Sequence, residues 1–200
     1  MNIAAGRRGS SLVELLVSLT LTMAFAAVLH VFSRTLLRGA GVLEMASECQ
    51  EAARIGIQLV TRDLRGAGFH ARGGSVEAIR LAQADSVAIS MDLNGDGDVA
   101  DSNERIAYRF DAEKRALMRA LGDGPPQPML NDLAADGLHF SYFDESGRPL
   151  PFGEMGLGQI DRARVRRIDV TLRIESPNPD PADSTPLRQK QTGTVWLRNG

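Results

Sequence analysis

This sequence of 200 residues has little of what builds disulfides, zinc sites and aromatic cores: one cysteine, three histidines and 5% aromatic residues. Because Cys49 is alone, an internal disulfide is excluded, and stability must come from packing or from a bound metal. The histidines are scattered, and none stands at a zinc-ligand spacing from a cysteine or an acid. The motifs G-x-S-x-G and H-E-x-x-H and a phosphate-binding loop are also missing, so we predict no catalytic centre.

A strong charge of one sign is missing too, since 23 basic and 25 acidic residues leave a net charge of −2. Nucleic-acid-binding domains carry a clustered basic surface, so we expect no nucleic-acid partner. The length suits one membrane helix followed by one domain with its own hydrophobic core.

What the sequence does have is a long apolar run near its start. The 21 residues from Leu12 to Phe32 are mostly apolar, and the next basic residue is Arg34. At about 1.5 Å per residue they form a helix of roughly 31 Å, enough to cross a bilayer core. One full charge, Glu14, lies inside the run, where a carboxylate costs about 2–3 kcal/mol unless it finds a partner. Glu14 is therefore a candidate functional residue.

The run follows a leader, residues 1–9, that carries two arginines and ends in Gly9, so that Glu14 is the fifth residue after the glycine. This arrangement resembles the class III signal of type IV pilins and pseudopilins. The resemblance implies that prepilin peptidase cuts between Gly9 and Ser10 and methylates the new N-terminus. It also implies that Glu14 neutralises the terminal amine of a neighbouring subunit during assembly. Mature pilins usually begin with Phe or Met, so Ser10 is a departure that bears on methylation more than on cleavage.

Two other interpretations of the N-terminus stay open. In the first, the run is a plain signal anchor whose Arg7 and Arg8 keep the N-terminus in the cytoplasm. In the second, it is a secretory signal peptide, cut after the small-x-small motif at residues 24–26. A buried core helix is disfavoured by the length of the run.

The helical pattern continues beyond the apolar run. Apolar or small residues recur at spacings of three and four at Val42, Met45, Cys49, Ala52, Gly56 and Leu59. This spacing predicts an amphipathic helix with one stripe against a core. The glycines at 66 and 68 then supply a stop signal. We therefore predict one helix of about 84 Å from Ser10 to Arg65.

Alternating apolar residues after residue 73 predict half-buried antiparallel strands. They fall at residues 87–91, 106–110, 115–121, 138–142, 168–174 and 195–197, with Pro-rich loops at 122–128 and 176–186. The order predicts an α+β fold in which the C-terminal half of the long helix packs on a curved antiparallel sheet, as the type IV pilin fold does. The expected organisation is a leader at 1–9, a transmembrane and assembly half-helix at 10–37, and a periplasmic domain at 38–200.

Residues 61–69 resemble the helix end of PilW-type minor pilins, and residues 195–199 resemble the last strand of PilW and of the J-type minor pseudopilins of type II secretion. The resemblance implies a structural subunit, not an enzyme, that helps to start or cap a pilus or pseudopilus. Its implied partners are other major and minor pilins or pseudopilins, the prepilin peptidase, the inner-membrane assembly platform and membrane lipid. The implied location is the inner membrane, single-pass, with a cytoplasmic N-terminus and a periplasmic C-terminal domain, and the filament after assembly.

One acidic segment, residues 92–104, carries site chemistry of its own. It reads D-x-N-x-D-G-D and so matches the start of an EF-hand-type calcium loop. The candidate oxygen ligands are Asp92, Asn94, Asp96, Asp98 through its carbonyl, Asp101 and Glu104. The twelfth position, which needs an acid, is Asn103, so Asp101 or Glu104 would have to take its place.

A hairpin loop that uses Asn-Gly and Asp-Gly for their turn propensity is the plainer interpretation of this segment. Its length and its five acids favour bound Ca²⁺ instead.

Two other functions remain open beside the pilin. One is a membrane-anchored periplasmic module for calcium-dependent binding or adhesion, and the other is a secreted enzyme behind a conventional signal peptide.

Overall fold

A computed structural model describes residues 11–151, 153 and 155–198. Helix α1 spans Leu12–Arg65, 54 residues in one continuous helix, which confirms the predicted long helix over these residues. Its N-cap, Ser11, has an extended backbone (φ −67°, ψ 145°). At the other end, the backbone N–H of Gly66 donates to the carbonyl oxygen of Asp63, and Gly68 takes a positive φ of 73° that turns the chain away.

In the described part of the chain, eight strands and one short helix follow α1. They are β1 (Ile79–Ala82), β2 (Ser86–Ser90), β3 (Arg105–Asp111), β4 (Ala116–Leu121), β5 (Gln127–Leu130), β6 (Leu133–Phe143), α2 (Gln159–Arg162), β7 (Arg167–Ser176) and β8 (Leu187–Trp196). All strand pairs are antiparallel, and β1 to β5 form one meander while β6, β7 and β8 form a second sheet. The α+β class is confirmed; the strands divide into two sheets where we predicted one.

The second half of α1 packs on β7 and β8. Its buried apolar and small residues are Cys49, Ala53, Gly56, Ile57, Val60 and Leu64. The prediction that a stripe of residues faces the core is therefore correct at Cys49 and Gly56. It is wrong at Ala52 and Leu59, which are only half-buried. The helix instead turns Ile57, Val60 and Leu64 toward the core, which removes more apolar area from water than burying Ala52 and Leu59 would. Cys49 contributes to a small cluster with Ala53 and Ile174, as expected of a core cysteine.

Among the described elements, the prediction missed β1, β5, α2 and the polar first half of β8. Strand β5 lies partly within the stretch 122–128 that we predicted as a Pro-rich loop. It contains Pro128, which is tolerated because β5 is the edge strand of its sheet. Strand β8 begins directly after the second Pro-rich loop and is likewise an edge strand.

Candidate functional site

The first half of α1 contacts none of the other described elements, and residues 11–40 are all exposed. Its exposed large side chains include Leu16, Leu21, Phe25 and Val28. Within the described chain, α1 is the one helix long and apolar enough to cross a membrane, with a mean hydropathy of 2.2 over its most apolar stretch. The predicted membrane segment is therefore helical from Leu12 onward, whereas the predicted cleavage point, Gly9 and Ser10, lies outside the described residues.

The hydroxyl groups in this half of α1 bond to the helix itself. Ser18 Oγ donates to the carbonyl oxygen of Glu14 at 2.8 Å, and Thr22 Oγ1 donates to that of Ser18 at 2.7 Å. Thr20 Oγ1 makes the same kind of bond to Val17 at 2.9 Å. Since these hydroxyls need no water partner, they do not oppose transfer of the helix surface into lipid.

Glu14 lies in the first turn of α1 and is exposed. The partial positive charge of the helix N-terminus stabilises a carboxylate there by about 0.3–1 kcal/mol. Among the described residues no cation forms an ion pair with Glu14, and the next base along the helix, Arg34, lies about 30 Å away. A partner for this charge in an apolar environment would have to come from elsewhere.

The last turn of α1 holds a buried carboxylate that ties the helix to the five-stranded sheet. Asp63 Oδ2 accepts hydrogen bonds from Tyr108 Oη at 2.7 Å and from Arg119 Nη2 at 2.7 Å. Arg119 Nε also donates to Tyr108 Oη at 3.1 Å. Burial, and then the neighbouring Asp63 carboxylate, raise the pKa of Tyr108. Asp63 thus fixes the end of α1 to β3 and β4, while the apolar face of α1 packs on β7 and β8.

The acidic loop, residues 92–104, is attached beside this helix end. Asp92 N–H donates to the carbonyl oxygen of Phe69 at 2.8 Å, and Ala71 N–H donates to that of Asp92 at 3.1 Å. At the other end of the loop, Met91 N–H donates to the carbonyl oxygen of Glu104 at 2.9 Å. The chain that leaves α1 therefore pairs with the start of the acidic loop.

Two carboxylates of the loop, Asp92 and Glu104, are fully buried. Asp92 Oδ1 accepts the N–H of Gly95 at 2.5 Å, and its Oδ2 accepts that of Gly97 at 3.0 Å. His70 Nε2 lies 3.4 Å from Asp92 Oδ2. Because Arg72 N–H donates to His70 Nδ1, a neutral His70 carries its proton on Nε2, facing Asp92.

Glu104 has one satisfied and one unsatisfied oxygen. Oε1 accepts the backbone N–H of Leu93 at 2.8 Å and that of Asn94 at 3.3 Å. Oε2 is buried and has no hydrogen-bond partner among the described residues. A buried carboxylate oxygen without a donor is costly, since its lost hydration is not replaced.

The remaining predicted ligands lie on the exposed rim of the loop. Asn94 Nδ2 donates to Asp96 Oδ2 at 2.9 Å and to Asp101 Oδ2 at 3.0 Å, so it lies between two carboxylates. The N–H of Asp98, then Asn94, and more weakly the charge of Arg72 hold the pKa of Asp96 below its usual value. Asp98 turns its own carboxylate toward the N–H of Ala100 at 2.8 Å.

The structure therefore brings Asn94, Asp96, Asp101 and Glu104 together and leaves the side chain of Asp98 outside that group. Within the described residues, no three His, Cys, Asp or Glu side chains stand in a ready-made metal cluster. The donors that fit a metal here are the oxygens of acids, an amide and the main chain, which are the ligands of a hard cation such as Ca²⁺.

Comparison with known proteins finds similarity among solved structures but none by sequence. No family model matches the sequence, and no curated protein matches it. Among solved structures, the chain is similar to a type IV-like pilin from Thermus thermophilus, with a TM-score of 0.47 and 13% sequence identity. That match covers 74% of this chain and 95% of the other.

Sequence reasoning missed Asp63, although a signal was present. An acid in the last turn of a helix is opposed by the helix dipole, and Asp63 stands between Arg62 and Arg65 in that turn. An acid in that position needs a specific donor. Nothing in the sequence indicates that the donors are Tyr108 and Arg119, because they lie 45 and 56 residues away.

Proposed function

We propose that this chain is a minor pilin or minor pseudopilin, a structural subunit that helps to start or cap a type IV pilus or a type II secretion pseudopilus. Within that class, residues 61–69 and 195–199 favour the PilW type, with the J-type pseudopilin next. Its partners would be other pilin subunits, the prepilin peptidase, the inner-membrane assembly platform and membrane lipid.

The observation that carries this proposal is the two-environment character of α1. One unbroken helix has an exposed apolar first half and a second half packed on two antiparallel sheets. A helix that served only as a core element would be packed along its whole length, because exposed apolar area on this scale is unfavourable in water.

The second support is the position of Glu14 at the start of the exposed half. Within the filament, the amine of Ser10 released by cleavage in one subunit would meet Glu14 of a neighbour, and each charge would offset the burial cost of the other. The leader arginines at 7 and 8 would hold the N-terminus in the cytoplasm, which puts the globular domain in the periplasm.

The direct test is the mass of the mature N-terminus after expression with and without a prepilin peptidase. We expect a chain that begins at Ser10, with or without one methyl group, only when the peptidase is present. Gly9→Leu, which puts a bulky side chain at the cleavage point, should retain residues 1–9, while Ala5→Leu in the same leader should be cut normally.

Two outcomes would overturn the proposal. A mature chain that begins at Ala27 would identify a secretory signal peptide, and a chain that keeps Met1 beside an active peptidase would identify a plain membrane anchor.

A further inference from the structure

We propose that the acidic loop, residues 92–104, binds one Ca²⁺ ion, and that Glu104 supplies the carboxylate that an EF-hand loop carries at its twelfth position. This inference does not depend on the proposed filament function. It starts from three carboxylates, those of Asp96, Asp101 and Glu104, which all bond to groups of the single residue Asn94.

The first argument is the charge of this group. Asp96 and Asp101 share only a neutral amide, Asn94 Nδ2, and Glu104 Oε1 accepts only main-chain N–H groups. Among the described residues no lysine or arginine forms an ion pair with any of the three. Arg105, the base closest along the chain, is paired with Asp123 at 2.6 Å. The charge of Arg72 acts weakly on Asp96, and a divalent cation would relieve the repulsion that remains within the group.

The second argument is the unsatisfied oxygen of Glu104, which concerns burial and not charge. The side chain is fully buried, yet Oε2 accepts no hydrogen bond within the described chain. The other oxygen, Oε1, accepts the N–H groups of Leu93 and Asn94, so the carboxylate lies against the main chain at the start of the loop. Coordination to a cation held by the loop would satisfy this oxygen.

The third argument is the fit of the donor set to calcium. Ca²⁺ takes six to eight oxygen ligands at about 2.3–2.6 Å in flexible geometry. The loop offers carboxylates from Asp96, Asp101 and Glu104, the Asp98 carbonyl and the Asn94 amide oxygen, which also accepts the N–H of Asp96 at 2.8 Å. Asp92 is occupied in holding the N–H groups of Gly95 and Gly97, which shapes the loop around the ion. The exposed rim favours the weak affinity of extracellular modules, about 0.1–1 mM.

The binding test uses the full chain in detergent after removal of divalent ions with EGTA. Titration with CaCl₂ in a calorimeter should give a saturable isotherm with one site per chain. At roughly tenfold the Kd, the melting temperature should rise by about 3–6 °C. No heat and no shift at millimolar calcium, or an equal shift with MgCl₂, would overturn the proposal.

The matched pair of variants is Asp101→Asn and Asp183→Asn. Asp101 is exposed, so its variant should fold normally and bind Ca²⁺ at least about tenfold more weakly, because a charged ligand is lost. Asp183 is an exposed acid that caps the N–H of Thr185 in a loop of its own, at 2.9 Å. Asp183→Asn should bind like the parent chain, and equal binding by both variants would contradict the site.

Glu104→Gln separates a ligand from a merely structural residue. Without calcium, the variant no longer buries a negative charge with an unsatisfied oxygen, so it should melt at or above the parent chain. With saturating calcium, the parent should melt higher because the variant has lost a carboxylate ligand. If Glu104→Gln melts lower by the same amount with and without calcium, Glu104 is structural only and the proposal fails.

Discussion

Gly193 on β8 lies directly under Thr61 on α1: a Cβ atom at Gly193 would stand 2.6 Å from Thr61 Cγ2. The same atom would be 2.8 Å from Cγ2 of Ile57, one helical turn earlier. Both methyl groups belong to β-branched side chains that are stiff in a helix, so they cannot rotate away. The long helix therefore reaches the sheet only because this strand position has no side chain.

Gly193→Ala should accordingly force α1 and β8 apart. We expect a loss of about 1–3 kcal/mol in the free energy of unfolding, the usual cost of overpacking. The measurement is chemical denaturation followed by circular dichroism. The matched control is Gly41→Ala in the same helix, where no atom lies within 4 Å of the added carbon. That control should be neutral or stabilising, because alanine favours helix over glycine by about 1 kcal/mol.

Removing the Asp63 carboxylate should be more damaging than its position at a helix end suggests. Asp63→Ala would leave the hydroxyl of Tyr108 and the guanidinium of Arg119 without their shared acceptor, at a cost of about 2–4 kcal/mol. A double-mutant cycle with Tyr108→Phe should show coupling of about 0.5–3 kcal/mol. Asp123→Ala, which removes the exposed partner of Arg105, should cost much less stability than Asp63→Ala. Equal effects of Asp63→Ala and Asp123→Ala would contradict the conclusion that Asp63 fixes the end of α1 to β3 and β4.

The two tyrosines should ionise only when the protein unfolds. Burial is the main cause that raises the pKa of both Tyr108 and Tyr142. Their stabilising effect is complete below the unfolded value of about 10 and declines as pH rises above it, since the unfolded chain then releases protons that the folded chain keeps. Tyrosinate absorbance and circular dichroism should therefore change together during alkaline titration. Tyrosinate absorbance that rises near pH 10 in a chain with native circular dichroism would contradict this.

Periodicity explains which parts of the fold could be predicted. Strand β7 alternates strictly between buried and half-buried residues, so Ile168, Val170 and Leu172 mark it in the sequence. The helix could be predicted as well, because apolar and small residues recur at spacings of three and four from Val42 to Leu59, although the buried face is turned relative to that series. Strand β5 carries Pro128 and the first half of β8 is polar, so neither shows the alternating apolar pattern, although each pairs with the strand directly before it.

The candidate sites divide in the same way. The D-x-N-x-D-G-D spacing is local, so the sequence alone predicts a cluster of oxygen donors there, and Asn94 hydrogen-bonds to both Asp96 and Asp101. The spacing does not predict which of these acids is buried. Only the structure distinguishes the exposed Asp101 from the buried Glu104. Calcium binding itself stays a prediction. The hydrogen bonds of Asp63 could not be predicted, because Tyr108 and Arg119 lie 45 and 56 residues away from it.

The central claim is that Glu14 meets the freed N-terminus of another subunit, and the most direct measurement is incorporation into filaments. Glu14→Ala and Glu44→Ala should each be expressed in the native host, with processing checked by mass and sheared filaments probed by immunoblot. Both residues are exposed glutamates on α1, but Glu44 lies beyond the apolar half. We predict that both variants are cleaved after Gly9 and that only Glu44→Ala enters filaments at the parental level. Normal incorporation of Glu14→Ala, or filaments whose subunits keep residues 1–9, would contradict the account.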